Sequence, residues 1–504
     1  MADTNKKYQL EKFLKMEDSI STRMETFGRY LDRTNMEHKD YQYEGVRWCL
    51  TNELRNEPPC NVRGGFIADE MGLGKTIMMI GLIFSNIVPQ TLIVLPPILI
   101  DQWFVQILRT SGHKALIYHG DAKKTISEEQ LAAAKVVITS YGAVTLTKEQ
   151  IKFKELTPLH RINWGRIIFD EAHHLRNSNT TRYFGARLLP ASIRWLVSGT
   201  PIQNNKQDFY SLCALIRLPA SFYTDTDNLR LLARSFILKR TKKQVGIEMT
   251  HVHVEKNVVN WASEKEMILA EELHSALSFS GVNPEKGTHG KILNTFYNKG
   301  ILALMLRAKQ SCIYPKLMIK QLDEYVKNGL LNDYDSYREA FDSTSKLDAV
   351  CNSILERKGN GCGKLIFCHF REEIDEVATR LRNGGMTKVA TFDGRTSNSK
   401  RYDILNEKND ALILQIQTGC EGLNLQENYS EIYFIAPHWN PAVEDQAIAR
   451  CHRIGQTKPV YVQRFEMCKF IDDNSEDVTT RTIDRYVNDI QETKRVIANE
   501  IICN

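Results

Sequence analysis

Short runs of β-branched and aliphatic residues recur along the chain, separated by stretches with helical spacing of apolar positions. In the first half they are Thr91–Leu95 (TLIVL), Lys135–Thr139 (KVVIT), Arg166–Phe169 (RIIF) and Arg194–Val197 (RWLV), preceded by a shorter apolar stretch at Gly65–Ala68. In the second half they are Lys364–Phe367 (KLIF), Lys388–Phe392 (KVATF), Ala411–Ile416 (ALILQI), Glu431–Ile435 (EIYFI) and Val460–Phe465 (VYVQRF). Runs that are apolar throughout, rather than alternating, belong to strands covered on both faces, and helices between them make the sheet parallel. The pattern therefore predicts an α/β protein of two parallel-sheet lobes. Residues 257–340 read as a helical insert, from stretches such as EKEMILAEELHSAL and ILALMLRAKQ. The expected division is a helical lead-in over 1–39, a first lobe over 40–250, an insert over 251–343, a second lobe over 344–485 and a closing helix over 486–504. No repeat or low-complexity tract is evident.

Open parallel sheets bind ligands past the carboxyl ends of their strands. Polar clusters stand at those ends here: Pro96-Pro97, Ser140-Tyr141, Asp170-Glu171 and Ser198-Gly199-Thr200, then Asp393-Gly394-Arg395 and Gln417-Thr418-Gly419. Two lobes with loaded strand ends imply a shared cleft.

Length and composition narrow the class. At about 150 residues per domain, the 504 residues allow roughly three domains. With 42% hydrophobic and 25% charged residues the chain is ordinary globular protein, which excludes collagen-like and disordered classes. The 11 cysteines include no C-x-x-C pair, so a reduced, intracellular chain is expected rather than a zinc ribbon or a disulfide scaffold. The charged start lacks a secretory core, and the apolar runs near 76–88 and 91–100 are too short or too Pro-broken to span a bilayer. A net charge of +5, from 66 basic and 61 acidic residues, leaves a nucleic-acid partner open.

Three segments carry chemistry. Residues 69–76 read DEMGLGKT, after an apolar stretch and before the helical run TIMMIGLIF. Backbone N–H groups of such a loop and the helix N-terminus after it cradle phosphates. Asp69, Glu70, Met71, Gly72, Leu73 and Gly74 would form the cradle, Lys75 would reach the β/γ-phosphates and the Thr76 hydroxyl would bind Mg²⁺. Asp69 stands where the strict G-x-x-x-x-G-K-[ST] pattern has its first glycine, so a simple Gly-rich turn is the competing reading. Next, RIIFDEAH (166–173) is a strand that ends in two carboxylates. Asp170 would hold Mg²⁺ through water while Glu171 orients and deprotonates the attacking water; an acidic helix N-cap is the alternative. His173 and His174 lack partners at ligand spacing and are assigned to coupling or packing. Last, Asn440-Pro441 opens a helix AVEDQAIARCHRIGQ in which Gln446, Arg450 and Arg453 fall at i, i+4 and i+7. Two arginines so placed fit fingers that stabilise a γ-phosphate, against the alternative of a solvated basic face.

The ordered series of segments resembles the double-stranded-DNA translocases of the SWI/SNF type in helicase superfamily 2. The resemblance covers roughly residues 40–495: YQYEGVRW (41–48), GGFIADEMGLGKT (64–76), LIVLPPILIDQW (92–103), VITSYG (137–142), FDEAHH (169–174), LVSGTPIQNN (196–205), FILKRTKKQV (236–245), KLIFCHF (364–370), FDGRTSNSKR (392–401) and DQAIARCHRIGQTKPV (445–460). It implies two RecA-like lobes that bind ATP and Mg²⁺ between them and duplex DNA across both. It implies that Gln42 reads adenine, that Gln446, Arg450 and Arg453 sense the γ-phosphate, and that Thr200 and Gln203 couple hydrolysis to lobe movement. By motif match, Ser140, Tyr141, Arg395, Thr396 and Ser397 are DNA-contact candidates. Lys239 and Arg240, in a basic run that also reads as a solvated hinge, are further candidates. Such contacts meet phosphates, so little sequence specificity and strong salt dependence are expected.

One segment departs from the family. In QIQTGCEGLNLQ (415–426), Gln417 and Cys420 replace the usual Arg and second Gly, while Gly419, Gly422 and Asn424 remain. The size leaves no room for chromatin-reading modules and resembles compact versions carried by large DNA viruses or bacteria. The expected function is ATP-driven movement along duplex DNA by a monomeric motor, with nucleosomes or RNA polymerase as possible targets. A soluble intracellular location is expected: nuclear in a eukaryote, at replication or transcription sites for a virus. A strand-separating helicase or a transcription-complex ATPase shares the same engine, and a non-enzymatic scaffold is the reading from another class.

Overall fold

The computed structural model describes residues 2–199, 206–282, 292–293, 296, 299–419, 423–470 and 480–502. The chain divides into two compact units, Met1–Glu248 with Val496–Asn504, and Met249–Arg495.

Among the described residues the first unit holds seven strands: β1 (Arg63–Ile67), β2 (Thr91–Leu95), β3 (Leu116–Tyr118), β4 (Val136–Ser140), β5 (Trp164–Asp170), β6 (Ala191–Val197) and β7 (Ile237–Leu238). They form one parallel sheet in the order β3-β4-β2-β5-β6-β1-β7. Alternate residues of each strand face opposite sides. One core therefore collects Phe66, Leu92, Val94, Ile167 and Phe169, and the other collects Ile67, Ile93, Ile138, Ile168 and Trp195. The second core also takes Ile20, Phe27, Tyr30 and Leu31 from the long lead-in helix Ala2–Arg33. The lead-in, to which the sequence assigned no role, thus closes one face of the sheet.

The second unit holds six strands among the described residues: β8 (Val252–Val259), β9 (Gly363–Cys368), β10 (Val389–Phe392), β11 (Ala411–Gln415), β12 (Tyr429–Phe434) and β13 (Val460–Met467). Their order is β10-β11-β9-β12-β13-β8, again all parallel. Two α/β lobes, each built on a parallel sheet, are thus present, as the pattern of apolar runs predicts. Val252–Val259, within the stretch expected to be insert, is instead the edge strand β8, paired along its whole length with β13. Its sequence, VHVEKNVV, mixes charges with valines because one edge of it is unpaired. The helices that follow, such as Glu264–Ser275 and Ile301–Ile313, put Leu269, Leu273, Leu304 and Ala308 into one core with Ile366, Ile413 and Tyr433 of the sheet. No helix among the described residues is long and apolar enough to cross a membrane.

Candidate nucleotide site

The DEMGLGKT loop leaves β1 and enters the helix Lys75–Ser85, whose first N–H groups lack partners within the helix and face the loop. Gly72 and Gly74 adopt φ of 94° and 78°, the left-handed region that costs a side chain most. A Cβ at Gly74 would also collide with the Gln42 side chain, which packs on the loop and donates to the Leu73 carbonyl at 3.4 Å. The Lys75 ammonium lies within the loop, donating to the carbonyls of Asp69 (2.8 Å) and Glu70 (3.4 Å). A Cβ on Gly199, past the end of β6, would meet Met71 Cγ at 3.1 Å and stand 3.4 Å from Lys75 Nζ, so the turn after β6 lies against the loop.

The edge strand β7 and the residues after it hold this loop in place. Leu238 O accepts from Ala68 N at 2.7 Å, and Arg240 O accepts from Glu70 N at 2.9 Å. The Arg240 guanidinium grips the fully buried Asp69 carboxylate with two bonds, Nε–Oδ1 at 3.1 Å and Nη2–Oδ2 at 2.6 Å. It also donates to the Tyr41 carbonyl, next to Gln42. This explains the acid where the strict pattern has glycine: Asp69 is a structural anion whose partner lies 171 residues away. The expectation that Arg240 contacts DNA is corrected here, because its side chain is 14% exposed and its charge is spent on Asp69. Lys242 is likewise buried and turned to Glu70, while Lys239 is half-buried.

At the end of β5, Asp170 is buried and its carboxylate takes two directed bonds. Oδ2 accepts from the Trp103 indole N–H at 2.7 Å, and Oδ1 accepts from Glu171 N at 3.0 Å. The Tyr141 hydroxyl donates to the Asp170 carbonyl at 2.7 Å. Burial first, then the neighbouring Glu171 charge, pushes the Asp170 carboxyl pKa up; the Trp103 bond and Lys75 oppose the shift. Glu171 has φ 52° and ψ 49°, a strained left-handed backbone for a non-glycine residue. His173 Nδ1 lies 3.4 Å from Glu171 Oε2, the His173 and His174 rings stack at 4.6 Å, and His174 leans on Tyr141 at 5.3 Å. The two histidines thus pack on each other and on Tyr141, beside Glu171.

Ser140 and Tyr141 are each 3% exposed, and the Ser140 hydroxyl meets His119 Nδ1 at 2.9 Å. Both were expected at DNA; instead the Ser140 hydroxyl turns to His119 and the Tyr141 hydroxyl to the acidic strand end. The donor set fits Mg²⁺: a hard carboxylate whose charge burial disfavours, and a half-buried Thr76 hydroxyl at the start of the phosphate-facing helix.

In the second unit the helix Pro441–Cys451 starts as the sequence predicts, with Asn440 Oδ1 accepting from Ala442 N at 3.1 Å and Pro441 in the first turn. Gln446 and Arg450 are 3% and 6% exposed. The helix ends at Cys451, so Arg453 does not continue its face at i+7; it lies in the turn beyond. There it donates to Asn424 Oδ1, while Arg450 O accepts from Leu425 N at 3.1 Å. Burial and then the adjacent Arg450 charge push the Arg453 pKa down to about 10. The segment that departs from the family pattern is therefore fastened to both arginines through Asn424 and Leu425. Gln417 is exposed on the short helix Ile416–Gly419; Cys420 and Gly422 lie outside the described residues, as do Thr200 and Gln203.

Arg395 chelates two carboxylates, Asp375 at 2.8 Å and Asp393 at 2.6 Å, so its charge is offset and the expected phosphate contact is weakened. Thr396 Oγ1 accepts from Asp393 N at 3.1 Å, and Ser397 is exposed just before the helix Asn398–Asn406. Trp103 and Asn424 were missed as site residues. For Trp103 a signal existed, since a tryptophan on an apolar helix face brings an N–H that must find an acceptor.

Comparison with known proteins matches residues 41–317 to the SNF2-related domain and residues 345–455 to the helicase conserved C-terminal domain. The chain is 26% identical to the probable global transactivator of Orgyia pseudotsugata multicapsid polyhedrosis virus, over 94% of this chain and 92% of that protein. It is 25% identical to the DNA repair protein RAD5B of Arabidopsis thaliana over 83% of this chain, but spans only 45% of that protein. Among solved structures, the Sulfolobus solfataricus SWI2/SNF2 ATPase core in complex with dsDNA is 22% identical, with a TM-score of 0.38, over 92% of this chain and 93% of that one. The SNF2-related match alone covers more than half of the chain, which therefore belongs to the SNF2-related family of helicase-like ATPases.

Proposed function

We propose that the protein is a DNA-dependent ATPase that moves along duplex DNA and displaces or remodels bound protein without fully separating the strands. The observation that carries the proposal is the pairing, within one sheet, of the Lys75 loop at the end of β1 with the Asp170-Glu171 pair at the end of β5. Residues 69–76 cradle the phosphates, Gln42 reads the adenine, and Thr76 and Asp170 hold Mg²⁺, which when bound supplies charge neutralisation at the β/γ-phosphates. Glu171 orients the attacking water and accepts its proton. Gln446, Arg450 and Arg453 recognise the γ-phosphate, and Thr200 and Gln203 pass its loss on to the rest of the motor.

The DNA part of the reading is supported by the likeness to a DNA repair protein. Lys239, Thr396 and Ser397 remain its contact candidates, with Arg395 available once it exchanges carboxylates for phosphates. The motor acts as a monomer inside the cell, with its second lobe taking in β8 and the helices that follow it. ATP hydrolysis measured with duplex DNA, single-stranded DNA, RNA and nucleosomes at one salt concentration tests this. Duplex DNA should stimulate, Lys75→Ala should abolish the activity, and stimulation by RNA alone would refute the proposal.

A second reading, action on transcription complexes, is favoured by the near end-to-end match to a viral global transactivator. Triplex displacement, forked-duplex unwinding and release of a stalled polymerase, run side by side, separate the readings.

A further inference from the structure

Asp170 is held from three sides, and two of the holders lie outside the DEAH segment altogether. Trp103 sits in the helix Ile100–Ser111, which follows β2, and is 1% exposed. Its indole N–H reaches Asp170 Oδ2 at 2.7 Å. Tyr141, which follows β4, fixes the Asp170 carbonyl at 2.7 Å, and Glu171 N fixes Oδ1 at 3.0 Å. The two neighbours of β5 on one side of the sheet thus lead directly into the clamp, since the strand order there is β4-β2-β5.

An indole N–H is a donor only, so it cannot neutralise a carboxylate or accept its proton. What it can do is fix rotation: with Oδ2 on the indole and Oδ1 on the next amide, the carboxylate plane is set. The same amide bond belongs to Glu171, whose backbone is in the left-handed region at φ 52°. Strained backbone persists only where its surroundings over-determine it. Trp103 and Tyr141, both buried, supply that determination, one through the Asp170 side chain and one through its carbonyl.

We infer that Trp103 is a positioning residue for the metal-side carboxylate, with Tyr141 as its backbone counterpart, so that the helix after β2 and the end of β4 set the geometry of Asp170 and, through the shared peptide, of Glu171. This rests on the proposed role of Asp170 toward Mg²⁺. It also gives a use to two segments, LIVLPPILIDQW and VITSYG, that otherwise read as sheet and DNA surface. Side chains that orient metal-binding groups matter nearly as much as the ligands, and losing one commonly costs 10- to 100-fold in metal affinity or activity.

The test uses the full chain and fluorescent N-methylanthraniloyl-ADP, titrated with Mg²⁺ and again with EDTA, so that the ratio of the two affinities isolates the metal-dependent part of binding. Trp103→Phe keeps an aromatic ring and removes the donor; Tyr141→Phe removes one hydroxyl and nothing else, which keeps the test alive if the first variant folds poorly. Each should shrink the Mg²⁺-dependent ratio by about 10-fold and leave the EDTA affinity unchanged. In steady-state hydrolysis each should lower kcat/KM for Mg·ATP by at least the same factor, with KM rising in step with the lost Mg²⁺-dependent affinity. Asp170→Asn is the control. If it removes the ratio and the two aromatic variants do not, the positioning role is wrong and the metal reading stands. If Asp170→Asn leaves the ratio intact, the metal reading fails and the inference with it. Loss of EDTA affinity in parallel with Mg²⁺ affinity would mean that the aromatic pair only holds the fold, which also overturns the inference.

Discussion

Replacing Arg240 by alanine removes the partner of a carboxylate that has no access to solvent. Asp69 is 0% exposed and Arg240 14%, and the pair makes two charge-assisted bonds, at 3.1 and 2.6 Å. Breaking a buried pair by deleting one member strands the other charge, at a cost of about 3–5 kcal/mol. Arg240 also donates to Tyr41 O and lies 5.7 Å over the Tyr41 ring, so the cost belongs at the upper end of that range. In Arg240→Ala the first unit should therefore unfold at clearly lower urea concentration, followed by tryptophan fluorescence, with the second unit's transition unmoved. Adding Asp69→Asn removes the stranded charge, so the double variant should recover about half of the loss. Nucleotide affinity should fall in Arg240→Ala as well, because the same carboxylate anchors the first residue of the phosphate loop. A loss below about 1 kcal/mol, typical of an exposed pair, would refute the brace; so would a double variant no more stable than Arg240→Ala.

Lys75→Ala and Glu171→Gln should fail differently. The first should lose nucleotide binding, while the second should bind normally and turn over about 10²- to 10⁴-fold more slowly; equal losses of binding would contradict the division of roles. Arg453→Ala should lower kcat by about 10³-fold, the lower end for an arginine finger, and a loss under about 10-fold in the hydrolysis assay would remove Arg453 from the site. His274 is buried with its pKa pushed down from 6.5 to about 4, chiefly by burial; it contacts Ala270 O through Nδ1 and accepts from Ile483 N at Nε2. Because the folded value lies below the unfolded one, the neutral ring is favoured in the fold. The second unit should lose stability as pH falls from about 6.5 towards 4, by about 3 kcal/mol in all. His274→Gln should flatten that part of a stability-versus-pH curve, and an unchanged slope would show that other groups cause it.

Strands buried on both faces were legible because burial leaves a continuous apolar run. The three missed strands fail that condition for physical reasons. β3 has three residues and β7 two, while β8 is an edge whose Val254 and Val258 stay 56% and 60% exposed. The phosphate loop and DEAH pair were legible because their chemistry dictates residue type at fixed spacing. Direction was not legible. Ser140, Tyr141 and Arg240 are polar residues beside a ligand site, and spacing cannot say whether such a side chain turns out to a phosphate or in to a carboxylate. Their partners, His119, Asp170 and Asp69, are brought in by sheet pairing between distant strands. Arg453 was misplaced because helical spacing was carried past Cys451, where the helix stops.

The two-residue strand β7 sets where the first unit can be cut. A fragment ending after the helix Lys206–Leu215 would contain β1 to β6 and every sheet residue of the phosphate loop and DEAH box. It would look complete by motif count. Yet it would lack Leu238 and Arg240, the carbonyls that hold Ala68 and Glu70, and the cation opposite Asp69. A stand-alone first unit for crystallography or ligand screening therefore has to run past Lys242, and a tag or fusion joint is best placed beyond Gly246.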